Sequence, residues 1–134
     1  MGQTGRHPQP GMRSRQRFLD VFRVAFAGIR YMLRTQRNAR IYLVIIVLVV
    51  ALGAWLRLPA AHWALLVLTF SLVLAAEAGN SAIEILGDAI TTEWHPLIGT
   101  AKDIAAGAVL IGAIGAIIIG FIILGPPLWQ RLAP

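Results

Sequence analysis

The sequence predicts an all-α integral membrane protein, with an N-terminal amphipathic surface helix followed by three transmembrane helices. Three observations carry that prediction. The 134 residues are 57% hydrophobic and only 13% charged, whereas a soluble domain is roughly 45–50% apolar. Three apolar stretches, residues 41–56, 60–76 and 104–124, approach the ~20 residues that crossing a bilayer requires. Nine of the twelve Lys and Arg residues crowd into residues 1–40, and such a bias orients membrane proteins. Absence of cysteine excludes a disulfide framework and thiolate-bound metal.

Residues 1–12 carry Gly, Pro and Gln without apolar periodicity and read as a disordered tail. Nothing there reads as a signal peptide, because the first long apolar run begins only at Ile41. Residues 13–134 read as a single membrane domain. Over about residues 13–36, Phe18, Val21, Phe22, Ala25, Phe26, Ile29, Met32 and Leu33 recur at helical spacing, while Arg15, Arg23, Arg30, Arg34 and Arg37 lie elsewhere around the helix. That pattern suits a helix lying in the membrane interface. The pI near 11.4 therefore points to anionic lipid headgroups as partners and not to nucleic acid.

The first two spans are short, so their ends are expected to borrow flanking turns, with a tight connection at Leu58-Pro59. Arg57, His62 and Trp63 mark its edge as interface anchors. The positive-inside rule places the N-terminus in the cytoplasm, the first hairpin outside, residues 77–103 back inside and the C-terminus outside. Five of the six acidic residues then share one cytoplasmic connection. The third span repeats small residues at Ala108, Gly112, Ala116 and Gly120, a spacing that admits another helix closely. Whether that helix is intramolecular or a second copy stays open. Three thin spans bury little, which favours an oligomer.

Glu77, Asn80, Glu84 and Asp88 directly follow an apolar run. At 3.6 residues per turn all four fall within roughly 80° of one another, on one helix face. Carboxylates at the mouth of a membrane helix are costly and mark function. Glu77 and Glu84 are two turns apart, ~10 Å along the axis, too far to share an ion directly, so they divide the labour. The deeper Glu77 lies in lower dielectric and suits a general base. The shallower Glu84 suits a hard cation beside substrate phosphates, and Asn80 can orient either group. Thr100-Ala-Lys-Asp103 reads as a capping box opening the third span, with Lys102 in its first turns as a phosphate seat. No G-x-x-x-x-G-K-[ST], HExxH or GxSxG motif occurs, which excludes the familiar nucleotide-loop, zincin and serine-hydrolase readings.

The segment AEAGNSAIE, then Asp88, then EWHPLIGTAKDIAAGAVL closely resembles the signature of the prokaryotic diacylglycerol kinase family, small membrane lipid kinases that include undecaprenol kinase. The resemblance extends from Arg17 to Leu124. It implies a homotrimer in the bacterial cytoplasmic membrane that transfers the ATP γ-phosphate to a lipid hydroxyl, with Mg²⁺ as cofactor. Carried over by position, Glu77 resembles the family's general base, with Asn80 beside it. Nucleotide contacts are implied for Arg17, Gln36, Glu84, Glu93, Trp94, His95, Lys102 and Asp103, and metal binding for Glu84. Gln36 stands where the family usually has a second metal-binding glutamate, and an amide supplies an oxygen without the charge. The R37-N-A-R-I-Y42 and A-K-D-I-A-A-G-A-V stretches look more like the undecaprenol kinase branch than the diacylglycerol branch. A small ion-coupled transporter and an inactive membrane scaffold are the readings of another class.

Overall fold

The computed structural model describes residues 14–133, with side chains from Leu19 onward; the tail expected over residues 1–12 lies outside them. Four helices follow in order: α1 Ser14–Thr35, α2 Arg37–Leu56, α3 Ala60–Ile90 and α4 Pro96–Leu132. The last three are long and apolar enough to cross a membrane, as the hydropathy requires.

Helix α1 forms where the aromatic and arginine pattern places it. Its Leu19, Phe26 and Ile29 are exposed while Met32 is buried, so this chain covers little of its apolar side. One residue, Gln36, breaks the helix in extended backbone, its N–H donating to the Met32 carbonyl at 2.8 Å. The chain turns there and continues as α2, with Ala39 wholly buried at the corner.

At its other end α2 closes in a Schellman turn. Arg57 takes the left-handed conformation (φ 57°), and the N–H groups of Arg57 and Leu58 donate to Ala54 and Gly53 at 3.1 Å. Gly53 is needed for closeness: a Cβ there would meet Leu58 at 3.0 Å and Trp63 at 3.1 Å. Beneath that turn, Leu56, Leu58, Leu66 and Ile123 form a buried cluster shared by α2, α3 and α4. Arg131 lies over the Trp55 ring at 5.1 Å, joining the ends of α2 and α4.

The membrane helices outrun the expected boundaries at the opposite end. The 31 residues of α3 span ~46 Å against a hydrocarbon thickness of ~30 Å. Residues 77–103, expected as a polar connection, are therefore mostly helix, and only residues 91–95 link α3 to α4. The expected capping box is corrected: α4 starts at Pro96 after His95, and Thr100 sits inside it, its hydroxyl donating to the Pro96 carbonyl at 3.0 Å. Proline is suited to a first helical position because it lacks the N–H that would go unpaired there; that start signal precedes the Thr-x-x-Asp pattern and wins. Of the small-residue stripe, Gly112 packs on Val73 of the same chain. Ala116 and Gly120 instead line an apolar cleft.

That cleft, about 520 Å³, runs between α2, α3 and α4. Its walls carry few polar side chains, among them Tyr42 and Thr69, and the Thr69 hydroxyl is already bonded to the Leu65 carbonyl at 2.7 Å.

Candidate active site

Helix α3 builds the site by continuing its own packing stripe. Leu66, Thr69, Val73, Glu77 and Asn80 are buried at steps of three or four residues, with Gly87 two turns further on, which keeps them on one face. Toward the α2–α3 hairpin from Val73 the stripe is apolar apart from Thr69; in the other direction the same face becomes acidic and amidic. Of the face inferred from sequence, Glu77 and Asn80 are buried, Glu84 is half-buried and Asp88 is exposed.

Glu77 is only 1% exposed, and its Oε2 has no hydrogen-bond partner. Asn80, one turn on, is 7% exposed; its Nδ2 donates to Glu84 Oε1 at 3.1 Å, while its Oδ1 is unpartnered. Glu84 is half-buried. A buried polar atom left unpaired costs ~1–3 kcal/mol, and more when charged. Groups held at that cost are poised for a ligand.

Further toward the α3–α4 turn, Lys102 Nζ donates to Asp88 Oδ1 at 2.6 Å. Gly87 permits this crossing, since a Cβ there would lie 2.7 Å from Lys102 Cε. Glu93, Trp94, His95 and Asp103 are exposed around this turn, Trp94 at 84%. The Glu93 N–H donates to Thr91 Oγ1 at 3.0 Å. Gln36 lies at the α1–α2 corner and makes no side-chain cap. The side chain of Arg17 lies outside the described residues.

Along this face the order is therefore apolar cleft, buried Glu77 carboxyl, Asn80 amide, half-buried Glu84, then exposed Asp88 paired with the half-buried Lys102 of α4. Val73, which lines the cleft, is one turn from Glu77. A group emerging from apolar surroundings meets a proton acceptor first and charged ligands second.

The prokaryotic diacylglycerol kinase family profile matches residues 23–124, which include every candidate site residue except Arg17. This chain belongs to the prokaryotic diacylglycerol kinase family. It is 44% identical over 111 residues to a diacylglycerol kinase of Synechocystis sp., covering 82% of this chain but 63% of that relative's length. Against an undecaprenol kinase of Bacillus subtilis it is 37% identical over 112 residues, 84% of this chain and 91% of the relative. A diacylglycerol kinase of Escherichia coli is 42% identical over 81 residues, 60% of this chain and 66% of that protein.

Two features escaped the sequence. The Asp88–Lys102 pair depends on how sharply residues 91–95 reverse the chain. Ser81, 4% exposed with an unpartnered Oγ, sits four residues after Glu77, and that spacing was the available signal.

Proposed function

We propose that this chain is an ATP-dependent lipid kinase that transfers the γ-phosphate to the hydroxyl of a membrane lipid, with undecaprenol as the acceptor. The observation that carries the reading is Glu77: a carboxylate buried in a membrane helix, one oxygen unpartnered, a turn from an apolar cleft. The lipid hydroxyl donates its proton to Glu77 as its oxygen bonds the γ-phosphorus, and the bond from that phosphorus to the β-bridging oxygen breaks to release ADP. Asn80 holds Glu84 by its amide. Lys102 supplies positive charge to the phosphates, with Asp103, Glu93, Trp94 and His95 around the nucleotide and Arg17 approaching from α1. Phosphoryl transfer asks mainly for positioning and charge neutralisation, which helices alone can provide.

The donor set fits Mg²⁺. Among the described residues no three His, Cys, Asp or Glu side chains gather into a cage. Mg²⁺ commonly takes one or two carboxylates together with substrate phosphates, and Glu84 offers such a carboxylate. Bound Mg²⁺ would neutralise phosphate charge, held by Glu84 with Gln36 as a weaker oxygen donor.

The assembly we propose is a homotrimer in the bacterial cytoplasmic membrane. Its N-terminus faces the cytoplasm, and α1 lies on anionic headgroups through its arginines. Diacylglycerol is the second reading for the acceptor, favoured by the 44% identity to the Synechocystis diacylglycerol kinase. The deciding test offers undecaprenol, diacylglycerol and other lipid alcohols to reconstituted protein with Mg-ATP. Labelled undecaprenyl phosphate from γ-labelled ATP supports the first reading and labelled phosphatidic acid the second. Label in neither, nor in any other lipid, overturns both.

A further inference from the structure

Among the described side chains, the serine and threonine hydroxyls within these helices follow one habit with one exception. Thr35, Thr69, Ser71 and Thr100 each donate to the carbonyl four residues earlier, at 2.9, 2.7, 2.8 and 3.0 Å. Such back-bonding is the usual way a helical Ser or Thr satisfies itself. Ser81 is buried at 4% exposure and makes no bond at all, although its own i−4 carbonyl belongs to Glu77. Its hydroxyl is thus left without the local partner the others use.

What surrounds it says what it awaits. Ser81 is one turn beyond Glu77 and ~40° around the helix from it, while Asn80 is ~60° to the other side. Glu77 Oε2 is a pure acceptor when ionised, and Ser81 Oγ–H is a donor. Both are buried and unpartnered. A group that donates once and accepts once satisfies both together, and an alcohol does that.

We infer that Ser81 is a substrate-positioning residue: its hydroxyl donates to the oxygen of the lipid alcohol whose proton points at Glu77. This rests on the lipid kinase reading above. It gives Ser81 a role separate from acid–base work, since no proton moves through it. By fixing the acceptor oxygen from a second direction, it selects the rotamer of the alcohol in which a lone pair faces the phosphate.

The test is Ser81→Ala beside Ser81→Thr in the full chain, reconstituted in the same lipid. Alanine is the best helix former, so assembly should be retained. The alanine variant should lose about tenfold in kcat/KM for the lipid alcohol, the worth of one neutral hydrogen bond. The KM for ATP should stay unchanged, and threonine should restore most of the loss. Equal lipid kinetics in Ser81→Ala and wild type overturn the inference while leaving the kinase reading intact. So does a parallel rise in both KM values, or lost assembly, either of which marks a merely structural hydroxyl. Failure of the kinase reading looks different, because wild type itself then labels no lipid.

Discussion

The two ends of the α3–α4 pair are built on opposite rules. At the α2–α3 hairpin, Leu56, Leu58, Leu66 and Ile123 form an apolar cluster beside the cleft. The turn satisfies its backbone through Gly53 and Ala54, with His62 Nδ1 the unpartnered buried side-chain atom there among the described residues. At the other end the same α3 stripe buries Glu77, Asn80 and Ser81, leaving Glu77 Oε2, Asn80 Oδ1 and Ser81 Oγ without partners. One end is held mainly by apolar packing. The other forgoes stability to hold polar groups ready, as functional sites commonly do. Chemistry and stability should therefore separate by position along a single helix.

The largest expected effect is at Glu77. Glu77→Gln keeps the shape and removes the proton acceptor, so lipid phosphorylation should fall by ~10²–10⁴-fold, the usual worth of a general base. Resistance to thermal unfolding in detergent should hold, because the side chain keeps its shape and gives up an oxygen that has no partner in the fold. Measuring turnover and unfolding on one preparation checks both; a variant that keeps its rate removes Glu77 as the base. A transporter would instead lose pH-dependent uptake, without any lipid product in the wild type.

Leu66→Ala is the mirror experiment. Leu66 is 2% exposed within the hairpin cluster, and truncating such a side chain costs ~2–5 kcal/mol. Unfolding should move to lower temperature or denaturant while the folded fraction keeps its KM for ATP. A change in catalysis with no change in unfolding would erase the contrast between the ends.

How far this division could be read in advance follows from particular residues. The spans were legible because apolar runs leave few alternatives, and the acidic face because Glu77, Asn80, Glu84 and Asp88 repeat at helical steps. The ends of α3 and α4 were not, since helix continues through polar residues once it clears the bilayer and hydropathy is silent there. Pro96 overrode the cap expected at Thr100. Gly112 found its partner in Val73, which four-residue spacing alone does not specify. Ser81 was hidden because a helical serine ordinarily bonds to its own backbone.

A smaller effect concerns the metal. Gln36→Glu should lower the Mg²⁺ concentration giving half-maximal activity by a few-fold, since a carboxylate adds charge to an oxygen ligand. Its effect on unfolding should be slight, Gln36 being half-buried without a capping bond. An unchanged Mg²⁺ titration separates Gln36 from the metal.

The smallest stability effect belongs to the Asp88–Lys102 pair, where function and stability should part most cleanly. The side chains are 34% exposed at Lys102 and 72% at Asp88, and exposed pairs are worth ~0–1 kcal/mol. Asp88→Asn should therefore barely move unfolding. For nucleotide the balance differs, because the Asp88 carboxylate, at 2.6 Å from Lys102 Nζ, competes with incoming phosphate for the same ammonium. Removing its charge should lower the KM for ATP by a few-fold at unchanged kcat, with the gain shrinking as salt screens the phosphates. A raised KM would instead make Asp88 the group that aims Lys102 across Gly87 toward the nucleotide. Either outcome puts the pair's importance in ATP binding and not in holding the helices together, which is the division expected of the end that carries the chemistry.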